Sequence, residues 1–356
     1  MHKKFPLIAL IAFLFLTNCC IKDPDPVIKG ITENYLSGSG AFIINEGNFR
    51  SGNGSVSFFS YDSSKIFNHV FFEVNKRPLG DIPYFMDFLN EKGYIVVNNS
   101  GKIEVINGKT MESISTIRKL VSPRYISFIT PTKAYVTNLY SDSIAVLDLL
   151  KDDVSGYIDM NHTSESIIVH EYKAYVANWT SGNEIFVINT LYDEIIDSIE
   201  VGKEPESMVV DKNGTLWVLC NGGWQRDNSA ELIGIDTQTD EIIKRFVFPS
   251  KTDSPISLEI DGKGENLFYI LNGVMKMNIN SSQLPESSFI SFSNGNLYKL
   301  GINPDNNEIF ITDVVDYQEK GFVLRYDKNG TLISRMKADI IPGSICFKPR
   351  SLLPGK

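Results

Sequence analysis

Seven times along this chain an aromatic residue opens a β-branched run that closes on a polar residue three or four places later. The copies are Phe42-Ile43-Ile44-Asn45, Tyr94-Ile95-Val96-Val97-Asn98, Tyr135-Val136-Thr137-Asn138, Tyr175-Val176-Ala177-Asn178, Trp217-Val218-Leu219-Cys220-Asn221, Phe268-Tyr269-Ile270-Leu271-Asn272 and Phe310-Ile311-Thr312-Asp313. Their aromatics stand 52, 41, 40, 42, 51 and 42 residues apart. That period fits one four-stranded propeller blade. The residues between supply the other strands. Around Tyr175, the runs 166–169, 184–188 and 194–199 are rich in Ile, Val and Phe and are divided by short turn segments suited to antiparallel hairpins.

Seven copies predict an all-β, seven-bladed propeller over 41–348. Its ends indicate how the ring closes. Gly343-Ser344-Ile345-Cys346-Phe347 reads as one more innermost strand, after which the chain lacks three strands. Segments 41–45, 54–61 and 65–74 supply them, so both ends share the seventh blade and two sheet edges vanish. No stretch of helical period is expected after the leader.

The leader is 1–18. His2-Lys3-Lys4 precedes an apolar run, Phe5 to Leu16, too short to span a bilayer as a helix. Leu16-Thr17-Asn18-Cys19 resembles a bacterial lipobox with Cys19 as the lipidated residue; Asn18 departs from the usual small residue, and Cys20 is the alternative. Segment 19–40, with Pro24 and Pro26, reads as a lipidated tether and 349–356 as a tail. Cys220 and Cys346 sit in apolar runs and read as buried thiols. The formal charge is −9, and losing Lys3 and Lys4 with the leader makes it more negative. Such a surface argues against nucleic acid. Four scattered histidines give no metal-ligand spacing.

In a propeller the loop after each second strand and the connection between blades open on one face. The repeated polar residues Asn45, Asn98, Asn138, Asn178, Asn221 and Asp313 should ring that face. So should a series ahead of the innermost strands: Pro83-Tyr84, Pro123-Arg124-Tyr125, Glu165-Ser166, Glu206-Ser207, Ile256-Ser257, Leu297-Tyr298 and Gly343-Ser344. The loops add Glu46, Asn48 and Phe49, then Tyr140, Trp179, Trp224, Arg226 and Tyr317. The candidate ligand-binding set is these polar residues and loop groups with Tyr84, Arg124, Tyr125 and Tyr298. Converging rings and amides suit a neutral, polyfunctional ligand. The Asn series equally fits turn geometry and strand-end capping, and the loop aromatics equally fit anchors on neighbouring blades.

Phe42-Ile43-Ile44-Asn45-Glu46-Gly47-Asn48-Phe49, followed by Gly54-Ser55-Val56-Ser57-Phe58-Phe59, resembles the opening of the YncE-like propeller lipoproteins of Bacteroidetes. The Tyr-Val-x-Asn repeats are similar to the same family over roughly 41–348. One branch, BtuG, binds cobalamin (vitamin B12) at the outer surface and hands it to a TonB-dependent transporter. The resemblance therefore implies an outer-membrane, lipid-anchored capture protein without catalysis and without a resident cofactor. Lys22-Asp23 after the lipobox also resembles a surface-export signal of that group. The alternatives are a glycan-binding or scaffolding propeller and, third, a calcium-dependent lactonase-type enzyme using acids such as Glu46 and Asp313. No Gly-x-Ser-x-Gly elbow or nucleophile–base pairing is visible.

Overall fold

The computed structural model of the chain describes residues 35–353. The leader, Cys19 and Cys20, most of the tether and the last three residues lie outside them. The described residues form seven four-stranded antiparallel sheets arranged as a propeller. In chain order, blade 1 covers 83–117, blade 2 123–159, blade 3 167–200, blade 4 205–247, blade 5 256–291 and blade 6 297–340. Blade 7 pairs Pro342–Phe347 with Gly40–Asn45, then Ser55–Ser60 and Lys65–Phe67. Ala41 faces Phe347, Phe42 faces Cys346 and Ile43 faces Ile345, so the expected closure is the observed one.

Each blade runs from an inner first strand to an outer fourth. Second-to-third and blade-to-blade connections therefore share one face, called upper here, and the other turns share the lower. The aromatic of every repeat stands in a second strand and is at most 3% exposed. Burying such a side chain stabilises by ~1.5–3 kcal/mol. The same strands clasp their neighbours: the Tyr175 hydroxyl donates to Asp240 of the next blade at 2.7 Å, and Lys173 reaches the same carboxylate at 2.7 Å. Lys133 and Tyr135 repeat that clasp on Asp193. A Lys-x-Tyr pattern thus bonds blade to blade where the sheets themselves cannot.

Three boundaries differ from the sequence reading. The outer strand of blade 7 stops at Phe67, and Val70–Asn75 is a short helix, a structure not expected beyond the leader. Val70 and Phe71 face the core shared with blade 1, and six residues are too few for a periodicity to show. Tyr35 stacks on Phe67 with ring centres 4.1 Å apart, so the folded body begins before 41. At the other end Arg350–Leu352 forms one 3-10 turn, which buries Leu352 in that same core.

Candidate ligand-binding face

The inner strands share an irregularity at their upper ends. In blades 1, 2, 4, 5, 6 and 7 the pairing of inner and second strand shifts register there, at Pro83/Phe85, Pro123/Ile126, Pro205/Ser207, Ile256/Glu259, Leu297/Leu300 and opposite Ile43/Asn45. In blade 3, Ala177 bonds both Glu165 and Ser166. A bulge breaks the alternation of sides and re-aims the extra residue. Seven bulges at one height thus crowd the mouth of the channel with side chains that a regular strand would turn away.

What they bring together is a floor of ion pairs. Arg124 Nε and Nη2 donate to Glu165 at 2.7 and 2.6 Å, and the Tyr84 hydroxyl donates to the same carboxylate at 3.1 Å. The guanidinium lies 3.4 Å from the Tyr84 ring centre. Lys299 Nζ donates to Glu206 at 3.1 Å, and Tyr298 donates to Glu46 at 2.8 Å. Backbone groups freed by the bulges are capped: Tyr125 N–H bonds Thr137 and Lys299 N–H bonds Thr312. Ser207 accepts from Leu258 N–H and Ser257 from Leu300 N–H, which ties three inner strands together. Gly343 leaves room for Glu46, since a Cβ there would stand 3.0 Å from its carboxylate.

The electrostatics follow from that packing. Burial works against ionised Glu206, yet Lys299, the Ser207 hydroxyl and the Ser257 N–H outweigh it and hold its carboxyl below the usual range. Burial likewise opposes the charges on Arg124 and Lys299, but Glu165 and Glu206 raise both well above their ordinary values. Burial raises Glu46, only partly offset by the Tyr298 hydrogen bond and the nearby cations. Glu259 lines the channel below and is pushed up to about 8, chiefly by burial, with Lys299 opposing and Glu206 adding to the rise. At neutral pH it is a neutral carboxylic acid, able to donate a hydrogen bond.

Around this floor stands a crown of loops. Trp224 is 88% exposed, and Tyr140, Phe49 and Tyr317 are also exposed, all in second-to-third-strand loops of blades 4, 2, 7 and 6. Arg226 is exposed beside Trp224. Asn48 donates to the Tyr317 carbonyl at 3.1 Å and locks two of these loops together, while the Tyr317 ring meets Tyr298 edge-on at 6.0 Å. Trp179 is half-buried, with its indole N–H enclosed and unpartnered among the described residues.

The structure gives the repeated polar residues a different place. Asn45, Asn98, Asn138, Asn178 and Asp313 are buried. Asn45 donates to Ser57 at 2.8 Å and Asn98 to Ser122 and the Pro123 carbonyl at 2.9 and 3.0 Å. Asn138 donates to the Ser143 carbonyl and Asn221 accepts from Gly223 N–H. Asp313 accepts from Asn296 and Val315 N–H. Asn178 packs on Gly182. These side chains tie strand ends and loops in place. The floor instead holds Glu46, Tyr84, Arg124, Tyr125 and Tyr298 from the candidate set, joined by Glu165 and Glu206 from the inner-strand series and by Lys299, with Glu259 beneath it; the set lacked both of the last two. A charged residue inside an otherwise apolar strand, as in Leu297-Tyr298-Lys299-Leu300 and Ser257-Leu258-Glu259-Ile260, was their one signal.

Residues 39–341 match the profile of a family described as a domain of unknown function, DUF5074. The chain belongs to the DUF5074 family. This DUF5074 protein matches no curated protein. Among solved structures it is similar to a quinonprotein alcohol dehydrogenase-like protein of Bacteroides thetaiotaomicron, with a TM-score of 0.71 and 14% identity over 88% of this chain and 79% of that one. A putative 6-phosphogluconolactonase of Bacteroides uniformis gives 0.66 and 13%, over 87% and 99%. Hydrazine synthase of Kuenenia stuttgartiensis gives 0.60 and 16%, over 76% and 90%. At such identities the likeness is one of fold. Among the described residues of the DUF5074 chain, no three His, Cys, Asp or Glu side chains group as a metal site.

Proposed function

We propose that this protein is a lipid-anchored capture protein that binds its ligand without catalysis on the upper face and presents it to an outer-membrane transporter of the TonB-dependent class. The observation carrying this reading is the contrast in pairing across one concave face. The floor is a polar surface whose charges are already matched, and the crown is a set of large rings left exposed on loops of unequal length. Exposed rings supply contact area at small conformational cost, and a paired floor orients a polar ligand without demanding a charge from it. Cobalamin is the lead ligand: it is broad, amide-rich and neutral at its periphery, and the Tyr125 hydroxyl offers a hydrogen bond to an amide carbonyl. The sequence resemblance to cobalamin-binding propellers supports the same choice.

The test is retention of cyanocobalamin by the purified protein through gel filtration, read as red colour in the protein peak. A colourless peak at saturating vitamin removes cobalamin. A glycan platform is the second reading, favoured by the flat, exposed Trp224 ring, and tryptophan fluorescence quenching by oligosaccharides in place of the vitamin would select it.

A further inference from the structure

On the lower face, the turns from third to fourth strand in blades 1 to 6 are built alike. In each, an Asn or Asp ending the third strand, or in blade 6 directly following it, accepts the backbone N–H two residues on. The residue held this way is the exposed tip of the turn: Lys109, Leu150, Leu191, Gln238, Asn280 and Asn329 in blade order. Four tips are polar. The two in adjacent blades 2 and 3 are leucines, 78% and 62% exposed. The turn is held through its backbone, so nothing inside the fold selects leucine at those places.

Two tyrosines enlarge the exception. Tyr192, beside Leu191, is 71% exposed, and Tyr172, in the neighbouring turn of blade 3, is 66% exposed. The Tyr172 carbonyl accepts from Thr190 N–H at 2.9 Å, which fixes those two turns side by side. Lys133 of blade 2 bonds the Thr190 carbonyl and Asp193, both at 2.7 Å, and brings the blade 2 turns against them. The outcome is an apolar patch of Leu150, Tyr172, Leu191 and Tyr192 on a face whose other turn tips are polar.

We propose that this patch seats the propeller on a lipid surface. Leucines inserting at the acyl boundary with tyrosine hydroxyls at headgroup level are interfacial chemistry. The chain enters the propeller on the same face, because Gly40 is the lower end of the second strand of blade 7. The residues before it carry the apolar run and Cys19, so the proposal rests on the reading of the chain as membrane-anchored. An ordinary protein interface covers ~800 Å² a side with some 20–30 residues. Four projecting side chains bordered by polar turns fit a fluid surface better. A formal charge of −9 favours zwitterionic over anionic headgroups. Seated this way, the aromatic crown faces the medium.

The test uses the chain from Tyr35 onward, which contains every strand of the closed ring and omits Cys19. It is floated with excess vesicles of phosphatidylcholine and phosphatidylethanolamine. The comparison is Leu150→Gln/Leu191→Gln/Tyr192→Thr, which copies Gln238 and Thr239 from the same turn of blade 4. The wild type should float at least tenfold more than this variant, with equal thermal melts, and Trp224→Ala should float like the wild type. Equal flotation of wild type and triple variant, or none by either, overturns the proposal. So does a concentration-dependent dimer that the triple variant loses, since the patch then belongs to a second copy. Labelled palmitate incorporated into the full chain and abolished by Cys19→Ala tests the anchor independently, and ligand retention needs no vesicles. The three readings can therefore fail separately.

Discussion

Arg124 and Arg226 stand on the same face of the same ring, yet one is enclosed and the other is in water. Arg124 lies on a bulged inner strand, bridges Glu165 with two hydrogen bonds and covers the Tyr84 ring. Arg226 lies on a loop beside Trp224 and has no ion pair among the described residues. The floor and the crown use similar side chains to opposite ends. In the floor their interactions are satisfied within the protein; in the crown they remain open to a ligand. Stability should therefore respond to floor substitutions and affinity to crown substitutions.

The largest effect should come from breaking the floor. Arg124→Met leaves Glu165 buried and short of its cation, which costs about 3–5 kcal/mol by the usual behaviour of enclosed ion pairs. Chemical denaturation should show it as a lower midpoint with an unchanged slope. Adding Glu165→Met should restore much of the loss. A single variant as stable as the wild type would mean that water already screens the pair.

Next comes the crown. Trp224→Ala with Tyr140→Ala should weaken ligand binding roughly 10- to 100-fold, in line with the loss of exposed aromatic anchors, while the melting temperature stays within a degree or two. Titration of the retained ligand measures the first and a thermal melt the second. A drop in stability instead would recast these rings as loop anchors.

Glu259→Gln probes the channel below the floor through pH. The folded-state carboxyl titrates near 8, above its ordinary 4.5. The folded protein then keeps a proton that the unfolded chain has lost, so stability falls as pH rises from about 4.5 to 8 and levels off above. Glutamine removes that penalty. The variant should match the wild type at pH 4 and exceed it by up to about 4 kcal/mol at pH 8, read from melts at the two values. An equal difference at both would mean that the Glu259 carboxyl titrates in the folded protein as it does in the unfolded chain.

How much of this was legible beforehand divides along the same line. The blades follow from Tyr94, Tyr135, Tyr175 and their equivalents, because a fully buried aromatic in a β-branched run repeats visibly once per blade. The closure follows from three missing strands at one end and three present at the other. The floor was half legible. The inner-strand series pointed to Tyr84, Arg124, Glu165, Glu206 and Tyr298, since all precede apolar runs. Lys299 and Glu259 were hidden because a bulge shifts the alternation by one residue, and a strand read as regular assigns the wrong side to whatever follows. The repeated asparagines misdirect for a related reason. A recurring Asn at a strand end can serve the mouth or the backbone, and only the hydrogen bonds decide.

Asn98 gives the finest test of that division. Its amide bonds the Ser122 hydroxyl and the Pro123 carbonyl where blade 1 meets blade 2, and Asn98 N–H bonds the Ile82 carbonyl at 2.7 Å whatever the side chain. Alanine at 98 should keep the backbone contact and lose the two amide bonds. Neutral hydrogen bonds contribute about 0.5–1.5 kcal/mol each, and Ser122 is free to turn to water. The expected loss is therefore about 1 kcal/mol of stability, with ligand affinity unchanged within twofold. Denaturation and titration on the same preparation separate the two readings of the repeat. Lost stability with constant affinity places Asn98 among the struts of the floor, and lost affinity with constant stability returns the asparagine ring to the ligand.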